Sequence, residues 1–501
     1  MKSRKTGSYL IAFKAVLLGL ITTQIIATAH VYFSNRAFYQ SLHLVRKAGY
    51  LLVPNQHVIE SLQKMMPAFA GGLFFTLSIG SGLSIIAIIL AWTWHRLLSR
   101  NKLALLIIIS AWLMGIAGVN SNGFNSIATA YIAIIPLVVF TAVLYLLPDR
   151  EEKRNRMITL LFFAAPVLLI AIWLPLAKGQ VFLDIRDNIL LTNSLGKKIN
   201  DFYYNNTLYA AQAFKSLDQK TIKTCRLELI ADDSHKTTIK NIFLSYDYLV
   251  IEGDHPVDLS VEEQDGNLLF SHLGKSILTT TLEKFSANPG TVLKDFSGRT
   301  DYSAPLRFYV FVSMMIGSPI CLYIVLHGIF SLCLSLLVGR AWAVIMSVIL
   351  CALIGTGIAI PLHMEKKLNI ETGNLDQVLG SRLWRERVAA LRYMTIKGPD
   401  NNKLAENYQN WLASPYIAER YWYVRALGAN RSTAAGKALM TALDDPNTNV
   451  VCMAYYSLGR SGNTNVIDEL KKRILSSNKW YEQFYAYRAI RTLGWQQSKT
   501  P

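Results

Sequence analysis

Seven runs of predominantly apolar residues, at roughly 8–33, 67–95, 103–119, 127–147, 157–177, 308–331 and 341–362, contain no Asp or Glu. A helix that crosses a bilayer needs about 20 such residues. Inside hydrocarbon every backbone N–H and C=O must be paired within the protein, which a helix achieves alone. The expected fold is therefore a polytopic α-helical membrane protein of about 7 spans. Lys14 is the one charged residue in the runs, close enough to an end to snorkel. The third run is short. The sixth belongs to an apolar stretch reaching Val338, too long for one upright span and too short for two. Gly317-Ser318-Pro319 predicts a kink or tilt there. Charged residues are 17% of the chain, below the ~25% of soluble domains.

The first run has a second reading. Lys2, Arg4 and Lys5 precede it, and Ala27-Thr28-Ala29 is similar to a signal-peptidase site. The length of the run and Lys14 favour an uncleaved first helix. Basic residues in short loops set orientation. With the N-terminus inside, the inner segments hold Lys2, Arg4, Lys5, Arg96, Arg100, Lys102, Arg150, Lys153, Arg154, Arg156 and Arg340. The outer segment 34–66 holds Arg36, Arg46, Lys47 and Lys64. The bias predicts a cytoplasmic N-terminus in a bacterial inner membrane. An odd number of spans then places both soluble domains outside the cytoplasm, although Lys366 and Lys367 pull the other way.

The domain plan has four parts. Residues 1–177 hold spans one to five, and 34–66 reads as interfacial amphipathic helices or a packed cap over the bundle. Residues 178–306 form an extracytoplasmic α+β insertion. A helical pattern covers 194–215, and strands are expected at 224–230, 246–253, 256–263 and 266–272. Residues 307–364 hold spans six and seven, and 365–501 form a second soluble domain. The net charge of +18 does not signal nucleic acid. The insertion carries 14 basic and 17 acidic residues, the C-terminal domain 20 and 12, and the remainder 17 and 4. The excess lies beside apolar runs, where it meets anionic membrane lipid, and no basic-aromatic groove pattern appears.

Internal repetition appears after the last span. Gly398, Gly428, Gly459 and Gly494 each end a helix-like run: RVAALRYMTIKG, ERYWYVRALG, VVCMAYYSLG and YAYRAIRTLG. A glycine at this place suits a helix C-cap of positive φ. Second helices, such as KALMTALDD (437–445) and VIDELKKRIL (466–475), lie between them, with the Asp445-Pro446-Asn447 turn separating the two types. "ALMTALDDPNTNVVCMAYYSLGRSG" and "YAYRAIRTLG" resemble HEAT-like repeats of the phycobilisome-lyase type, over about residues 383–496. The resemblance implies a stacked α-solenoid that binds proteins, without catalysis. The first repeat departs from the pattern, with Ile396-Lys397-Gly398 at its end, as a capping repeat does. Tyr421, Trp422, Trp480 and Tyr481 are the candidate partner-binding residues, since aromatics anchor interfaces. A core role for them is the competing reading.

Candidate chemistry is sparse. No HExxH, GxSxG or P-loop occurs. Transporters and pumps normally place ionisable groups inside the membrane, and here there are none but Lys14. Asp233, His235, Asp254, His255 and Asp258 fall in expected turns and form no ligand pattern. Cys225 and Cys452 are the only cysteines that a disulfide between soluble domains would join. Four histidines end spans or lie near their ends: His95 and His327 toward the inner face, His30 and His363 toward the outer face. Each pair is a candidate for axial ligation of a b-type haem, though no cofactor is expected on balance. Gly80/Ser84 and Ser347/Cys351/Gly355 mark close helix packing, within the bundle or in a homo-oligomer. The expected function is a non-enzymatic membrane scaffold or assembly protein that binds other envelope or membrane proteins. A haem electron carrier and a transporter or channel subunit are the alternatives.

Overall fold

A computed structural model describes residues 8–147, 156–177, 180–366, 374–397 and 402–499. Most of the chain is helical. The apolar runs fold as α1 (Ser8–Lys47), α2 (Met65–Phe75), α3 (Ser81–Trp92), α4 (Lys102–Val119), α5 (Ser126–Leu146) and α6 (Arg156–Trp173). Six helices in the described residues are long and apolar enough to cross a membrane. The run at 157–177 forms α6, which contains the shorter apolar helix Leu161–Trp173. Pro175 lacks the N–H that would continue α6, and Leu174–Ala177 tighten into a 3-10 turn.

The insertion opens with a short helix, Val181–Ile185, and a π-turn, Arg186–Leu190, before α7 (Ser194–Gln212). A five-stranded sheet follows: β1 (Lys223–Leu229), β2 (Tyr248–Val250), β3 (Leu259–Gln264), β4 (Asn267–His272) and β5 (Lys275–Thr281). The strand order is β2-β1-β3-β4-β5. The sheet is parallel across β2-β1-β3, with the β1–β2 crossover made by α8 (Asp233–Ser245), and antiparallel beyond. The fifth strand, KSILTTT, is absent from the sequence expectation because its polar threonines carry no apolar alternation. The helix α9 (Pro289–Arg299) closes a small core of Phe243, Phe270, Phe285 and Phe296.

The chain then forms α10 (Ala304–Val312), α11 (Ser318–Leu334) and α12 (Arg340–Lys366). The expected kink at Gly317-Ser318-Pro319 is a π-turn, Ser313–Gly317, with Pro319 in the first turn of α11. It faces a second π-turn, Thr76–Gly80, between α2 and α3. The two backbones meet so closely that a Cβ on Gly317 would stand 2.5 Å from the Cα of Gly82. The serine hydroxyl of Ser318 donates to the carbonyl of Leu77. Small residues thus serve packing inside this chain. Gly80 fits against Thr23, Ser84 against Gly19, and Gly355 against Leu169.

Residues 34–47 are not separate amphipathic helices. They continue α1 without a break to Lys47. Nothing in YFSNRAFYQSLHLVRK breaks a helix, and Leu42 and Val45 are buried as its apolar face. The following turns, 50–64, bury Leu52, Val58, Ile59 and Leu62. These turns pack on α1 and hydrogen-bond to the C-terminal domain, and one hydrophobic core runs from Phe75 and Tyr131 in the bundle to Trp422 and Tyr487.

The C-terminal domain contains α13 (Trp384–Lys397), α14 (Ile417–Ala426), α15 (Thr433–Ala442), α16 (Thr448–Ser461), α17 (Ile467–Ser476) and α18 (Trp480–Thr492). α13, α14, α16 and α18 stack as one layer, while α15 and α17 pack behind it. Ion pairs join successive turns of the stack, Arg387 to Glu419 and Arg420 to Asp445, the latter at 2.7 Å. The recurring glycines act differently from the expected C-caps. Gly494 alone of the three described ones has positive φ, +92°. At Gly428 a Cβ would lie 3.0 Å from the Ser457 hydroxyl, and at Gly459 2.9 Å from the Cα of Ala489. These two glycines let neighbouring helices touch. Gly462, three residues later, takes the αL cap of α16. Gly398 lies outside the described residues.

Candidate interaction surface

The segment after α6 carries Asp184, Arg186, Asp187 and Asn188 into the stacked layer of the C-terminal domain. Asp187 is 1% exposed. Its carboxylate accepts from Arg186 Nε at 2.8 Å, Arg392 Nη2 at 2.6 Å and the indole Nε1 of Trp422 at 2.7 Å. Arg392 also reaches Asp184 at 2.6 Å, and Arg385 Nε donates to Asn188 at 3.1 Å. The Arg186 guanidinium lies 3.8 Å over the Tyr421 ring. A buried charge is tolerated only when its hydrogen-bonding capacity is filled, and Asp187 has three donors.

A second attachment is made by 50–64. The Asn55 amide donates to the carbonyls of Ile474 at 2.7 Å, Leu475 at 3.0 Å and Ser477 at 2.9 Å. These are orphan carbonyls at the end of α17. The Asn55 N–H donates to Gln483 Oε1 at 2.8 Å, and Gln497 exchanges two 3.0 Å bonds with the Leu51 backbone. A third attachment runs to the insertion. Asp247 accepts from the Tyr487 hydroxyl at 2.5 Å and pairs with Arg491 at 2.9 Å. Burial raises the Asp247 carboxyl above its usual range, against the pull of Tyr487 and Arg491.

These attachments correct the expectation for the four candidate aromatics. Tyr421, Trp422 and Trp480 are buried and Tyr481 is half-buried. Trp480 stacks on Phe38 of α1 at 6.0 Å and meets Tyr209 of α7 edge-on at 5.0 Å. The Tyr481 hydroxyl bonds Thr207 at 3.0 Å. The face that sequence alone offers to a partner is filled by the chain's own α1, α7 and 184–188 segments. Their large rings are anchors, as expected of aromatics, but for an intramolecular interface.

Beside this filled face Tyr456 and Arg460 are exposed, with Arg425 half-buried next to them. The Arg425 guanidinium lies 5.0 Å from the Trp422 ring centroid and 5.9 Å from that of Tyr456. Arg460 lies 5.8 Å from Tyr456 and donates to its hydroxyl at 3.2 Å. Tyr456 is 37% exposed. Neither arginine has a carboxylate partner among the described residues. The sequence held a signal for this ridge, since Arg425 and Tyr456 each stand three residues before a repeat glycine.

Each of the four candidate histidines sits among side chains of its own. His30 contacts Tyr131, 3.3 Å from its hydroxyl, and Phe75. His363 reaches the carbonyl of Ile172 at 3.2 Å. His95 contacts Arg100 at 2.6 Å. His327 is enclosed by the rings of Tyr9, Phe162 and Tyr323. Within each candidate haem pair the two histidines touch different neighbours. Among the described residues no group of three His, Cys, Asp or Glu is placed to hold a metal. His235 pairs with Glu263, Asp254 with Arg226 and Asp258 with Lys220, while Cys225 and Cys452 are free and buried.

Residues 407–498 match the family model of HEAT repeats. The HEAT-like resemblance of the C-terminal pattern is therefore borne out over most of its extent. No curated protein and no solved structure matches the chain.

Proposed function

We propose that this chain is a multi-pass scaffold or assembly protein of a bacterial inner membrane, and that it acts without catalysis or cofactor. HEAT repeats suggest a protein-interaction role, and here they hold other envelope or membrane proteins. The observation that carries this reading is the division of the repeat layer. One face is locked to the apolar helices through Asp187 and Asn55, and the Arg425–Tyr456–Arg460 ridge is left open beside it. A module built this way keeps a partner at a fixed distance from the bundle.

Contacts among the end of α1, the insertion and the repeats support one common side for all three. The basic bias of the short loops makes that side the exterior, with the N-terminus in the cytoplasm. The test has two arms. Tagged full-length chain and a chain lacking 383–501 are purified from detergent-solubilised membranes, and co-purifying proteins are compared. Tyr456→Ala with Arg460→Glu forms the second arm, since both side chains are exposed and neither belongs to the Asp187 or Asn55 attachments. Proteins held by the full-length chain should be absent from both altered forms. Retention of every partner by the truncated chain would remove the scaffold reading. Reporter fusions after Ser297 and after Gly494 should both register outside.

A further inference from the structure

An unfilled space of about 490 Å³ lies among α1, α3, α5, α6, α11 and α12. It exists because α6 packs on α12 and stands away from α3 and α5. The indole of Trp173 donates to the carbonyl of Gly355 at 3.1 Å, and Leu169 fills the notch at that glycine. The walls are nearly all apolar, from Ala12 and Ile88 to Pro166 and Ile324. Ile89 of α3 and Phe163 and Val167 of α6 line it and are also exposed. The space therefore opens sideways between α3 and α6.

One end of the space is closed by Tyr9, Trp92 and Thr93. Thr93 begins a π-turn, Thr93–Leu97, the third in the bundle. π-Turns inside helices recur at functional sites. Arg96 lies in this turn, one turn of helix beyond Thr93. Its Nε is buried without a hydrogen-bond partner, and Arg96 forms no ion pair among the described residues. An apolar cavity of this size stays dry, and an empty one forfeits dispersion contacts on every wall.

We propose that this cavity binds one acyl chain of an anionic glycerophospholipid, whose phosphate is held at Arg96. The proposal rests on the membrane reading above. The lateral opening lies at mid-helix, where a bilayer offers only hydrocarbon chains. The chain enters there, and the headgroup remains at the His95 end. The Arg96 guanidinium, its Nε unbonded among the described residues, supplies the charge complement, and a zwitterionic headgroup gains less from it. Arg96 thus selects the headgroup, while the apolar walls select the chain.

The experiment uses the full chain, delipidated in mild detergent and incubated with phosphatidylglycerol or with phosphatidylcholine. Bound lipid is counted by native mass spectrometry. The wild type should hold one phosphatidylglycerol and prefer it by about tenfold. Ala12→Trp and, independently, Ile88→Trp fill the space and should lose the lipid. Arg96→Gln leaves the walls intact, so it should keep a lipid but lose the preference. Equal lipid on wild type and on both tryptophan variants overturns the site. Equal binding of the two lipids by wild type overturns the headgroup assignment. Failure of the membrane reading is distinguishable, because alkaline carbonate would then release the chain from membranes.

Discussion

The indole of Trp422 donates a 2.7 Å hydrogen bond to a carboxylate oxygen of Asp187, 235 positions earlier in the chain. This bond ties the third-last pair of stacked helices to the exit of α6. It also sets Arg186 and Arg392 around a single buried charge. Asp187→Ala should destabilise the attachment by about 3–5 kcal/mol, because buried Arg186 would lose its compensating charge and Trp422 its acceptor. Asp184→Ala should cost less, since that carboxylate is 15% exposed against 1% for Asp187. Thermal unfolding in detergent compares the two, and equal melting of both variants would refute this ranking.

How much of this was legible depends on range. Apolar runs and repeat spacing are local properties, so the long helices and the HEAT region could be read from residue order alone. Asp187 sits in LDIRDN, an unremarkable polar turn until Arg392 and Trp422 are folded onto it. The glycine period was visible, but periodicity reports recurrence and not conformation. Gly428 and Gly459 serve close approach, where a positive-φ cap was expected. The 34–66 segment mixed apolar and basic residues, a pattern shared by interfacial helices and by helices that dock onto another domain. Only the partner surface separates the two.

Gly459→Val should destabilise the repeat stack by about 1–3 kcal/mol through overpacking against Ala489. At Gly462, φ is +75° and nothing lies within 4 Å of an added Cβ. Gly462→Ala should therefore cost only backbone strain, about 1–2 kcal/mol. Circular dichroism melts of the full chain measure both. A wild-type melting point for Gly459→Val would mean that the helices part without loss.

Asn55→Ala removes three hydrogen bonds to the end of α17 and leaves those carbonyls unpaired. At about 1 kcal/mol per net bond, the cost should be about 2–4 kcal/mol. Hydrogen exchange provides the local measure: amides of 51–64 and of α17 should lose protection together. Loss confined to 51–64 would show that the segment lies on the repeats without stabilising them.

Lys215 gives a pH signature. Burial, with Arg488 and Lys220 nearby, pushes its ammonium down from 10.5 to about 8. Below about 8 it is charged in both folded and unfolded chains, and the native state carries the full penalty. Between about 8 and 10.5 the unfolded chain binds more protons, so stability rises with pH. Lys215→Met should flatten that rise and stabilise the protein at neutral pH by roughly 2 kcal/mol, allowing for its partial exposure. Denaturant titrations from neutral to alkaline pH provide the comparison. An unchanged slope in the variant would exclude Lys215 as its source.

The unbroken α1 has a mechanical consequence. Forty residues of helix make a rod about 60 Å long, roughly twice the hydrocarbon thickness. One half is wedged among the other apolar helices, and the other half ends beneath the last repeats, where Phe38 meets Trp480. Without a joint the rod cannot absorb bending along its length. A load that pulls the repeats sideways is therefore delivered as torque to the buried half, at Thr23 and Gly19, where α1 bears on the π-turn of Thr76–Gly80 and the start of α3. Whatever docks on the repeats has a lever into the middle of the bundle.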